Sequence, residues 1–244
     1  MFSLLKSKYY LKDIIPNNYV DIHNHLLPGI DDGSTSLEET TLLIEGMKKL
    51  NIHSAIATPH TFGKLWDNTP DTIKNAFEIA TVQDSNKYFL KGYASEYMLD
   101  NSFMQRLKEG PLLCTHENYI LLEFDLFLKP INLYDMLFEI KIKGYKIIIA
   151  HPERYLYFHD NIKKYENLKE FGVYFQLNLL TMVGHYGKNI KKMAEQLLEK
   201  ELYDFTGTDI HNNIHIDHFI NKPIYLSNKN QLNNLLKNNA IFNP

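Results

Sequence analysis

The chain has 244 residues and a mass of 28.6 kDa, with 44% hydrophobic and 23% charged residues. These values are typical of one globular domain with a full core, and they exclude a disordered chain, a collagen-like repeat or a coiled coil. The net charge of −3 argues against a nucleic-acid surface. No apolar run exceeds four residues, which excludes a membrane-spanning helix, and the first residues lack a signal-peptide pattern.

Strand-like and helix-like segments alternate along the whole chain. Strands are predicted at 19–23, 52–58, 88–94, 119–123, 146–150, 173–177 and 203–206. Helices are predicted at 37–50, 69–84, 131–143, 162–171, 188–200 and 231–238. This order requires right-handed parallel crossovers, which favour a barrel or an open doubly wound sheet. The chain has neither Gly-x-Gly-x-x-Gly after the first strand nor Gly-x-x-x-x-Gly-Lys, so nucleotide-binding open sheets lose support.

Side chains that bind metals follow six of the seven predicted strands. In chain order they are His23, His25, Asp32, His60, Glu96, Glu123, His151, Asp209 and His211. The carboxyl ends of parallel strands in a barrel meet at one rim, and His-x-His on a strand places both imidazoles on one face. Imidazole with carboxylate suits Mn, Fe or Zn. Nine ligands exceed the need of one ion, so we expect two or three ions, an arrangement that recurs in phosphoester displacement.

Each of these residues alone has a structural explanation. A single His60 or His151 is more often an ordinary core or rim histidine, and Glu123 alone could be a buried carboxylate. Their concurrence at the strand ends favours the metal site. The other histidines are expected to be surface or supporting residues, with the roles of His215 and His218 left open: His53, His116, His159, His185, His215 and His218.

Four segments carry a family resemblance. They are Asp21-x-His-x-His-x-x-Pro-Gly-x-Asp-Asp-Gly33, Thr58-Pro-His60, Ala150-His-Pro-Glu-Arg-Tyr155 and Gly207-Thr-Asp-x-His211. Together they resemble the polymerase and histidinol phosphatase (PHP) superfamily, and within it the bacterial metal-dependent protein-tyrosine phosphatases encoded with capsule and exopolysaccharide genes. The resemblance spans about 20–211. It implies one domain over 1–244 with a distorted seven-stranded (β/α)7 TIM-like barrel and a metal site at the carboxyl rim, flanked by an extension at 1–18 and a C-terminal loop and helix at 212–244.

The resemblance also implies three divalent ions, with Mn or Fe favoured and Zn or Co as alternatives. The first ion would be held by His23, His25, Glu96 and Asp209, the second by Glu96, Glu123 and His151, and the third by Asp32, His60 and His211. Glu96 would bridge two ions. The reaction would be attack of hydroxide on phosphorus, with the charge neutralised in part by Arg154, whose planar fork meets two phosphate oxygens.

The segment after His211 departs from the family pattern, because family members use a second Arg there to hold the phosphate. This chain has only two Arg, and none of them follows His211. His215, His218 or a Lys are candidates for this role. Near the rim, Phe62, Trp66 and Tyr155 are candidates to contact the phenyl ring of the substrate.

The predicted function is hydrolysis of phosphotyrosine on the tail of a membrane-bound bacterial tyrosine kinase by a cytoplasmic enzyme. The alternative is a small-molecule phosphomonoesterase acting on a histidinol-phosphate-like substrate. Six residues after Cys114 stands Ile120 rather than Arg, which excludes a cysteine-phosphatase loop. We expect neither nucleic-acid binding nor direct membrane insertion, we leave the oligomeric state open, and we expect 1–18 to pack against its own barrel.

Overall fold

The structure is a computed structural model that describes residues 6–243; the first five residues of the predicted extension lie outside this range. Within it there are ten α-helices: α1 (Leu37–Lys49), α2 (Pro70–Ala80), α3 (Asp84–Phe89), α4 (Asn101–Glu109), α5 (Leu133–Ile142), α6 (Lys163–Glu170), α7 (Leu179–Met182), α8 (Lys188–Glu199), α9 (Asn213–Asn221) and α10 (Lys229–Asn238). The same range has ten strands: β1 (Ser7–Tyr9), β2 (Ala55–Ala57), β3 (His60–Thr61), β4 (Leu90–Tyr93), β5 (Glu96–Met98), β6 (Tyr119–Glu123), β7 (Lys146–Ala150), β8 (Tyr174–Asn178), β9 (Phe205–Gly207) and β10 (Ile224–Leu226).

The central sheet is parallel and curled. Its six strands lie in the order β3-β5-β6-β7-β8-β9, and β2 pairs in parallel with β4 beside it. Tyr119 of β6 and Phe205 of β9 contact each other with ring centroids 5.9 Å apart, although two strands separate them in the sheet. The sheet therefore bends back on itself, which confirms an α/β fold with parallel strands and helical crossovers.

The first predicted strand, 19–23, forms isolated bridges instead of a regular strand. Asp21 bridges to Ala55 on one side, and Asn24 bridges to Ile210 on the other. Backbone hydrogen bonds join the segment to both neighbours, for example from the Asp21 N–H to Ser54 O and from the Asp209 N–H to His23 O. The ladder is interrupted at Asn24, whose N–H donates to Thr58 Oγ1 and whose Nδ2 donates to the carbonyl of Ile56. The segment thus lies between β2 and the end of β9 and contacts both.

Several other predicted boundaries were wrong. The strand predicted to stop at Pro59 resumes as β3, because Pro59 lacks an N–H but its carbonyl still accepts from the Glu96 N–H. The helix predicted at 69–84 ends at Ala80, and residues 84–89 form the separate helix α3. Sequence periodicity also missed the antiparallel pair of β1 and β10.

Two apolar layers follow from the period-two alternation of the strands. On β6, Ile120 and Leu122 face the helices, whereas Tyr119 and Leu121 face the inside of the curl. Ile148 and Ala150 of β7 also face inward. Phe242 joins the inner layer at the amino ends of the strands. The carboxyl ends are left for polar side chains.

The described part of the N-terminal extension packs on the rest of the chain, as expected. Leu11, Ile14 and Ile15 belong to the main core, and β1 pairs with β10 near the C-terminus. In residues 6–243, none of the helices combines the length and apolar character needed to cross a membrane.

Candidate metal centre

A pocket of about 440 Å³ opens at the carboxyl ends of the sheet strands. Seven of the nine predicted metal ligands line it: Asp32, His60, Glu96, Glu123, His151, Asp209 and His211. The other two, His23 and His25, lie below it and are fully buried. Asp32 lies at the mouth of the pocket, and 49% of its side chain is exposed. The structure therefore brings all nine residues to one place, arranged from the buried floor to the mouth.

The strand register and two backbone turns direct these side chains into the pocket. His60 of β3 is directly opposite Glu96 of β5, and Met98 of β5 is opposite Glu123 of β6. His151 comes directly after β7 and Asp209 two positions after the end of β9, and they have left-handed φ values of 35° and 54°. Non-glycine residues are uncommon in this region, and such strain clusters at functional sites. The left-handed turn ends the strand and directs both side chains across the rim.

Four groups of candidate ligands have their ligating atoms within 4.8 Å of one another. They are His25 with Asp32, His60 and His211; His23 with His25 and Asp209; His23 with Glu96 and His151; and His60 with Glu96 and Glu123. The first group contains the predicted third set complete, and the second contains three of the four predicted ligands of the first ion. The difference concerns the predicted second set, which placed His151 with Glu123 and Glu96. In the structure His60 takes that place, with Nδ1 at 2.9 Å from Glu123 Oε1 and 3.1 Å from Glu96 Oε2.

Outer hydrogen bonds orient three of the imidazoles. Nδ1 of His23 lies 2.8 Å from Gln176 Oε1, Nδ1 of His25 lies 2.8 Å from Asp31 Oδ2, and Nδ1 of His211 lies 2.9 Å from the carbonyl oxygen of Asp209. Each partner is an acceptor, so each Nδ1 carries the proton and each Nε2 keeps a lone pair. This arrangement is the one that metal-binding histidines commonly show.

The buried polar atoms of this cluster fit a cation. Five of them have no hydrogen-bond partner among the described residues: Nε2 of His23, Nε2 of His25, Nδ1 of His60, Oε2 of Glu96 and Nδ1 of His151. A buried polar atom without a partner costs free energy, and almost all such atoms in proteins are paired. Four of the five converge, since Glu96 Oε2 lies 3.1 Å from His23 Nε2, 3.5 Å from His25 Nε2 and 3.1 Å from His60 Nδ1. Divalent ions bound between these four atoms would satisfy them together.

The electrostatics of the cluster also favour bound cations. Burial would raise the pKa of Glu96, but His23 and His60 hold it well below the usual range. The pKa of Asp209 is likewise held low by His23, against burial. Burial would lower the pKa of His60, but Glu123 and Glu96 raise it to about 10. The carboxylates are therefore ionised and draw positive charge to the site, which divalent ions would supply in place of protons.

Arg154 lines the same pocket and lies next to Asp209, one of the candidate ligands. Its Nη1 donates to Asp209 Oδ2 at 3.1 Å, and its guanidinium stacks over the ring of Tyr186 at 4.4 Å. Tyr186 OH and Asn178 Nδ2 also donate to Asp209 Oδ2, at 3.0 and 2.6 Å. Arg154 is thus held at the edge of the candidate metal groups while 20% of its side chain stays exposed to the pocket.

Three further predicted contacts line the same pocket. Phe62 and Trp66 flank it as partly exposed rings, and Trp66 stacks on His60 with centroids 4.8 Å apart. His215 lines it too, but its Nδ1 accepts the backbone N–H of His211 at 3.2 Å. Burial and the charge of His211 lower the pKa of His215 to about 4. A neutral His215 offers a hydrogen-bond donor but does not replace the charge of an Arg.

Tyr155 does not contact the pocket, so the prediction that it touches the substrate was wrong. Its side chain is fully buried and stacks on Phe124 with ring centroids 5.1 Å apart. Its OH accepts the Phe124 N–H and donates to the Ala150 carbonyl, both at 2.9 Å. Tyr155 therefore ties the loop after β7 to the end of β6, below the site.

Sequence reasoning missed the residues that support the ligands. Asp31 binds the His25 ring and, through the same Oδ2, the backbone N–H of His60 at 3.0 Å. Gln176 and Tyr186 were also missed, and Asn178 was noted only as a strand end without a ligand. Two sequence features could have indicated these residues. Asp31 lies in the Asp31-Asp-Gly33 motif, and Gln176 is a polar residue inside an apolar strand.

Comparison with known proteins identifies the relatives of this chain. Residues 19–241 match the family model described as capsular polysaccharide synthesis, CpsB/CapC. The tyrosine-protein phosphatase YwqE of Bacillus subtilis is 29% identical over 198 residues, covering 79% of this chain and 77% of YwqE. The tyrosine-protein phosphatase CpsB of Streptococcus pneumoniae is 28% identical over 202 residues, covering 79% and 83%.

A solved structure supports the same relationship. It comes from crystal structures of YwqE from B. subtilis and CpsB from S. pneumoniae, described as unique metal-dependent tyrosine phosphatases. It matches this chain with a TM-score of 0.74 and 27% sequence identity, over 82% of this chain and 84% of that one. Fold and sequence therefore agree on the same group of proteins.

Proposed function

The chain belongs to the capsular polysaccharide synthesis CpsB/CapC family, and on that premise we propose that it is a metal-dependent protein-tyrosine phosphatase. The membership confirms the family resemblance of the sequence motifs. The observation that carries the proposal is the convergence of four unpartnered buried ligand atoms on one centre, with Arg154 bonded to the neighbouring Asp209. This arrangement provides sites for cations and a fixed positive group for a phosphate in the same pocket.

The proposal assigns three divalent ions to the nine ligands, Mn or Fe first and Zn or Co as alternatives. Bound there, such ions polarise phosphoryl oxygens and lower the pKa of water. Gln176, Asp31 and the Asp209 carbonyl keep the Nε2 atoms of His23, His25 and His211 directed inward. The proposal also takes residues 1–244 as one domain and the curled sheet as a distorted seven-stranded barrel, in which 21–24 occupy the seventh position.

Arg154 is the residue that we assign to the phosphate. Its guanidinium presents a planar fork for two phosphoryl oxygens and stays charged at all relevant pH values. Asp209 and Tyr186 restrict its position, so less conformational entropy is lost when substrate binds. The partly exposed rings of Phe62 and Trp66 lie at the pocket wall, where a phenyl group can pack on them. Neutral His215 contributes a further N–H donor.

The proposed substrate is the phosphotyrosine tail of a membrane-bound tyrosine kinase that controls capsule or exopolysaccharide synthesis, with the enzyme in the cytoplasm. Two properties support a protein substrate. The pocket is open to the surface, and Phe127 at its edge has 86% of its surface exposed. An extended peptide can lie across such an edge, whereas a small substrate gains nothing from it.

The test compares substrates on protein purified without added metal and on the same protein after chelation. We expect hydrolysis of a phosphotyrosine peptide that is lost on chelation and restored by Mn or Fe, with elemental analysis showing about three ions per chain at saturation. The control substrate is histidinol phosphate, which should be hydrolysed much more slowly. Full activity after exhaustive metal removal contradicts the proposal, and a preference for histidinol phosphate favours the small-molecule alternative.

A further inference from the structure

A second group of histidines lies outside the four candidate metal groups. It adjoins Arg154 through Tyr186, whose ring lies 4.7 Å from the His185 ring and 4.4 Å from the Arg154 guanidinium. His185 follows α7, and His215 and His218 lie on α9. The His185 ring is 4.7 Å from the His215 ring and 4.9 Å from the His218 ring, measured between centroids. His185 and His215 both line the pocket that holds the candidate metal ligands.

A hydrogen-bond chain runs from Lys222 to His185. Lys222 Nζ lies 3.0 Å from His218 Nε2, and His218 Nδ1 lies 2.8 Å from His185 Nδ1. A Lys ammonium has three donors and no acceptor, so it donates to His218 Nε2. Neutral His218 must then carry its proton on Nδ1 and donate it to Nδ1 of His185. The same reasoning leaves the proton of neutral His185 on Nε2.

The hydrogen bonds from Lys222 to His185 require both imidazoles to be neutral, and the surroundings of both rings favour the neutral form. Burial lowers the pKa of His185, and the neighbouring His218 and Lys222 lower it further. Burial and the charge of Lys222 lower the pKa of His218 as well. Near neutral pH one arrangement of protons therefore satisfies all three side chains. That arrangement gives Nε2–H of His185 as its terminal donor.

The hydrogen bonds of residues 6–243 leave Nε2 of His185 without a partner, although the ring borders the pocket. A phosphate monoester has three acceptor oxygens and a charge of about −1.5 to −2 at pH 7. Among the described residues that line the pocket, Arg154 is the one Lys or Arg side chain. A neutral N–H donor on the Arg154 side can therefore serve a phosphoryl oxygen that the single guanidinium leaves unbound.

His185 fits this role better than His215. Nδ1 of His215 is bonded to the backbone of His211, a candidate metal ligand, so its ring position follows the metal cluster. His185 is held instead by α9 through His218 and Lys222. Its donor is thus oriented independently of bound metal.

We propose that His185 is a substrate-binding residue whose Nε2–H donates to a phosphoryl oxygen next to Arg154. His218 and Lys222 are positioning residues that fix the His185 tautomer. The inference rests on the proposed phosphatase function, since it names the substrate phosphate as the acceptor. It assigns to His185 a role that the sequence alone had left as a surface or supporting position.

The tautomer can be measured without any catalytic assay. Long-range ¹H–¹⁵N correlation spectra of the full chain with ¹⁵N-labelled histidine, with Zn²⁺ bound and without metal, report which ring nitrogen carries each proton. We expect His185 protonated at Nε2 and His218 at Nδ1 in both samples. His185→Gln assigns the His185 signals, and Lys222→Met should mix the two His218 tautomers. A proton on Nδ1 of His185 overturns the inference.

Binding and kinetics provide the second measurement, on metal-loaded protein. His185→Ala should raise the KM for a phosphotyrosine peptide and the dissociation constant of inorganic phosphate about tenfold, as expected for a hydrogen bond to a charged group. His185→Gln places an amide N–H near the same point and should restore most of the affinity. His218→Ala should give a smaller, about threefold, loss, and His218→Asn should restore it.

The matched control is the exposed His53, and His53→Ala should change neither constant. Values within twofold of wild type for His185→Ala overturn the inference while leaving the phosphatase function intact. If instead the wild-type protein fails to hydrolyse phosphotyrosine, the proposed function fails. Calorimetric binding of inorganic phosphate and the tautomer spectra still decide the role of His185 in that case.

Discussion

The two ends of the curled sheet are built from the same strands but have opposite chemistry. At the amino ends, Tyr119, Tyr174, Phe205 and Phe242 pack against one another with ring centroids 4.9 to 5.9 Å apart. At the carboxyl ends, buried imidazole and carboxylate atoms converge without hydrogen-bond partners among the described residues. One end is closed by apolar contacts, and the other is stabilised fully only when something binds.

Single strands carry both features. β6 begins at Tyr119 in the aromatic layer and ends at Glu123 in the pocket. β9 begins at Phe205, and Asp209 follows its last residue by two positions. The difference shows that stability and chemistry are separated along the strand direction, as in parallel barrels generally. Substitutions at the two ends should therefore affect different measurements.

The largest effect is expected for Glu96→Gln at the carboxyl end. Glu96 contacts four of the imidazoles: Oε1 lies 3.0 Å from His151, and Oε2 lies 3.1 Å from His23 and from His60 and 3.5 Å from His25. The variant keeps the shape but removes the charge that holds cations. We expect turnover to fall by more than the ~10²-fold that loss of an outer partner costs, and metal content to fall with it. Glu45→Gln, on an exposed helix face, is the control; wild-type metal content in Glu96→Gln would contradict the assignment.

Phe242→Ala should produce the opposite result at the amino end. Phe242 is 1% exposed and contacts Tyr119 and Phe205. We expect a loss of about 3 kcal/mol in the free energy of unfolding, from the cavity that the ring leaves. Turnover per folded molecule and metal content should be unchanged. Phe138→Ala, at a 57% exposed position, is the control for denaturant unfolding; reduced metal affinity in Phe242→Ala would show that the two ends are coupled.

Arg154→Lys tests the hydrogen bonds that we assign to Arg154 and the substrate phosphate. Lys keeps the charge but cannot form the two parallel hydrogen bonds of a guanidinium, so we expect turnover to fall about 10²-fold. Stability and metal content should stay at wild-type values. The chain has one other Arg, Arg106, which pairs with Asp67 on the surface. Arg106→Lys is therefore a matched control, and equal losses in the two variants would argue against a specific role for Arg154.

Asp31→Asn should have a smaller effect, because Asp31 acts through His25. The carboxylate accepts from His25 Nδ1 and from the backbone N–H groups of His60 and Gly33. An amide in its place weakens the orientation of the imidazole, and we expect metal affinity to fall about tenfold. Titration of metal-free protein with Mn²⁺ measures this. Saturating Mn²⁺ should restore turnover, whereas a defect that persists at saturation would place Asp31 in the chemical step.

The sequence predicted the elements whose own residues carry the pattern, namely a strand buried on both faces and an amphipathic helix. The apolar run 146–150 is strand β7, and 188–200 differs from α8 by one residue. The sequence-based prediction failed where contacts with segments distant in the sequence decide the structure. Residues 19–23 have a strand pattern but meet their neighbours through isolated bridges, and β1 pairs with β10, which is distant in the sequence. Local periodicity contains no information about such partners.

The candidate site shows the same limit. Residue type and position after a strand selected the nine ligands, because parallel strands end at one rim. Their division into groups depends on side-chain directions that spacing does not give, and His60 rather than His151 lies with Glu123. The burial of Tyr155 was missed for a similar reason, since the turn at His151 directs Arg154 into the pocket and its neighbour into the core.

Cys114→Ser should have the smallest effect, and it tests whether a reactive group at the amino ends of the strands contributes to the reaction. The thiol lies near Phe242 at the amino ends of the strands, and burial raises its pKa to about 11. At pH 8 only roughly a thousandth of it is thiolate, so it is a poor nucleophile. We expect unchanged turnover and metal content, and slow alkylation of the wild type by iodoacetamide without loss of activity. Inactivation that follows alkylation would mean that the amino end contributes to the reaction, against the separation of the two ends.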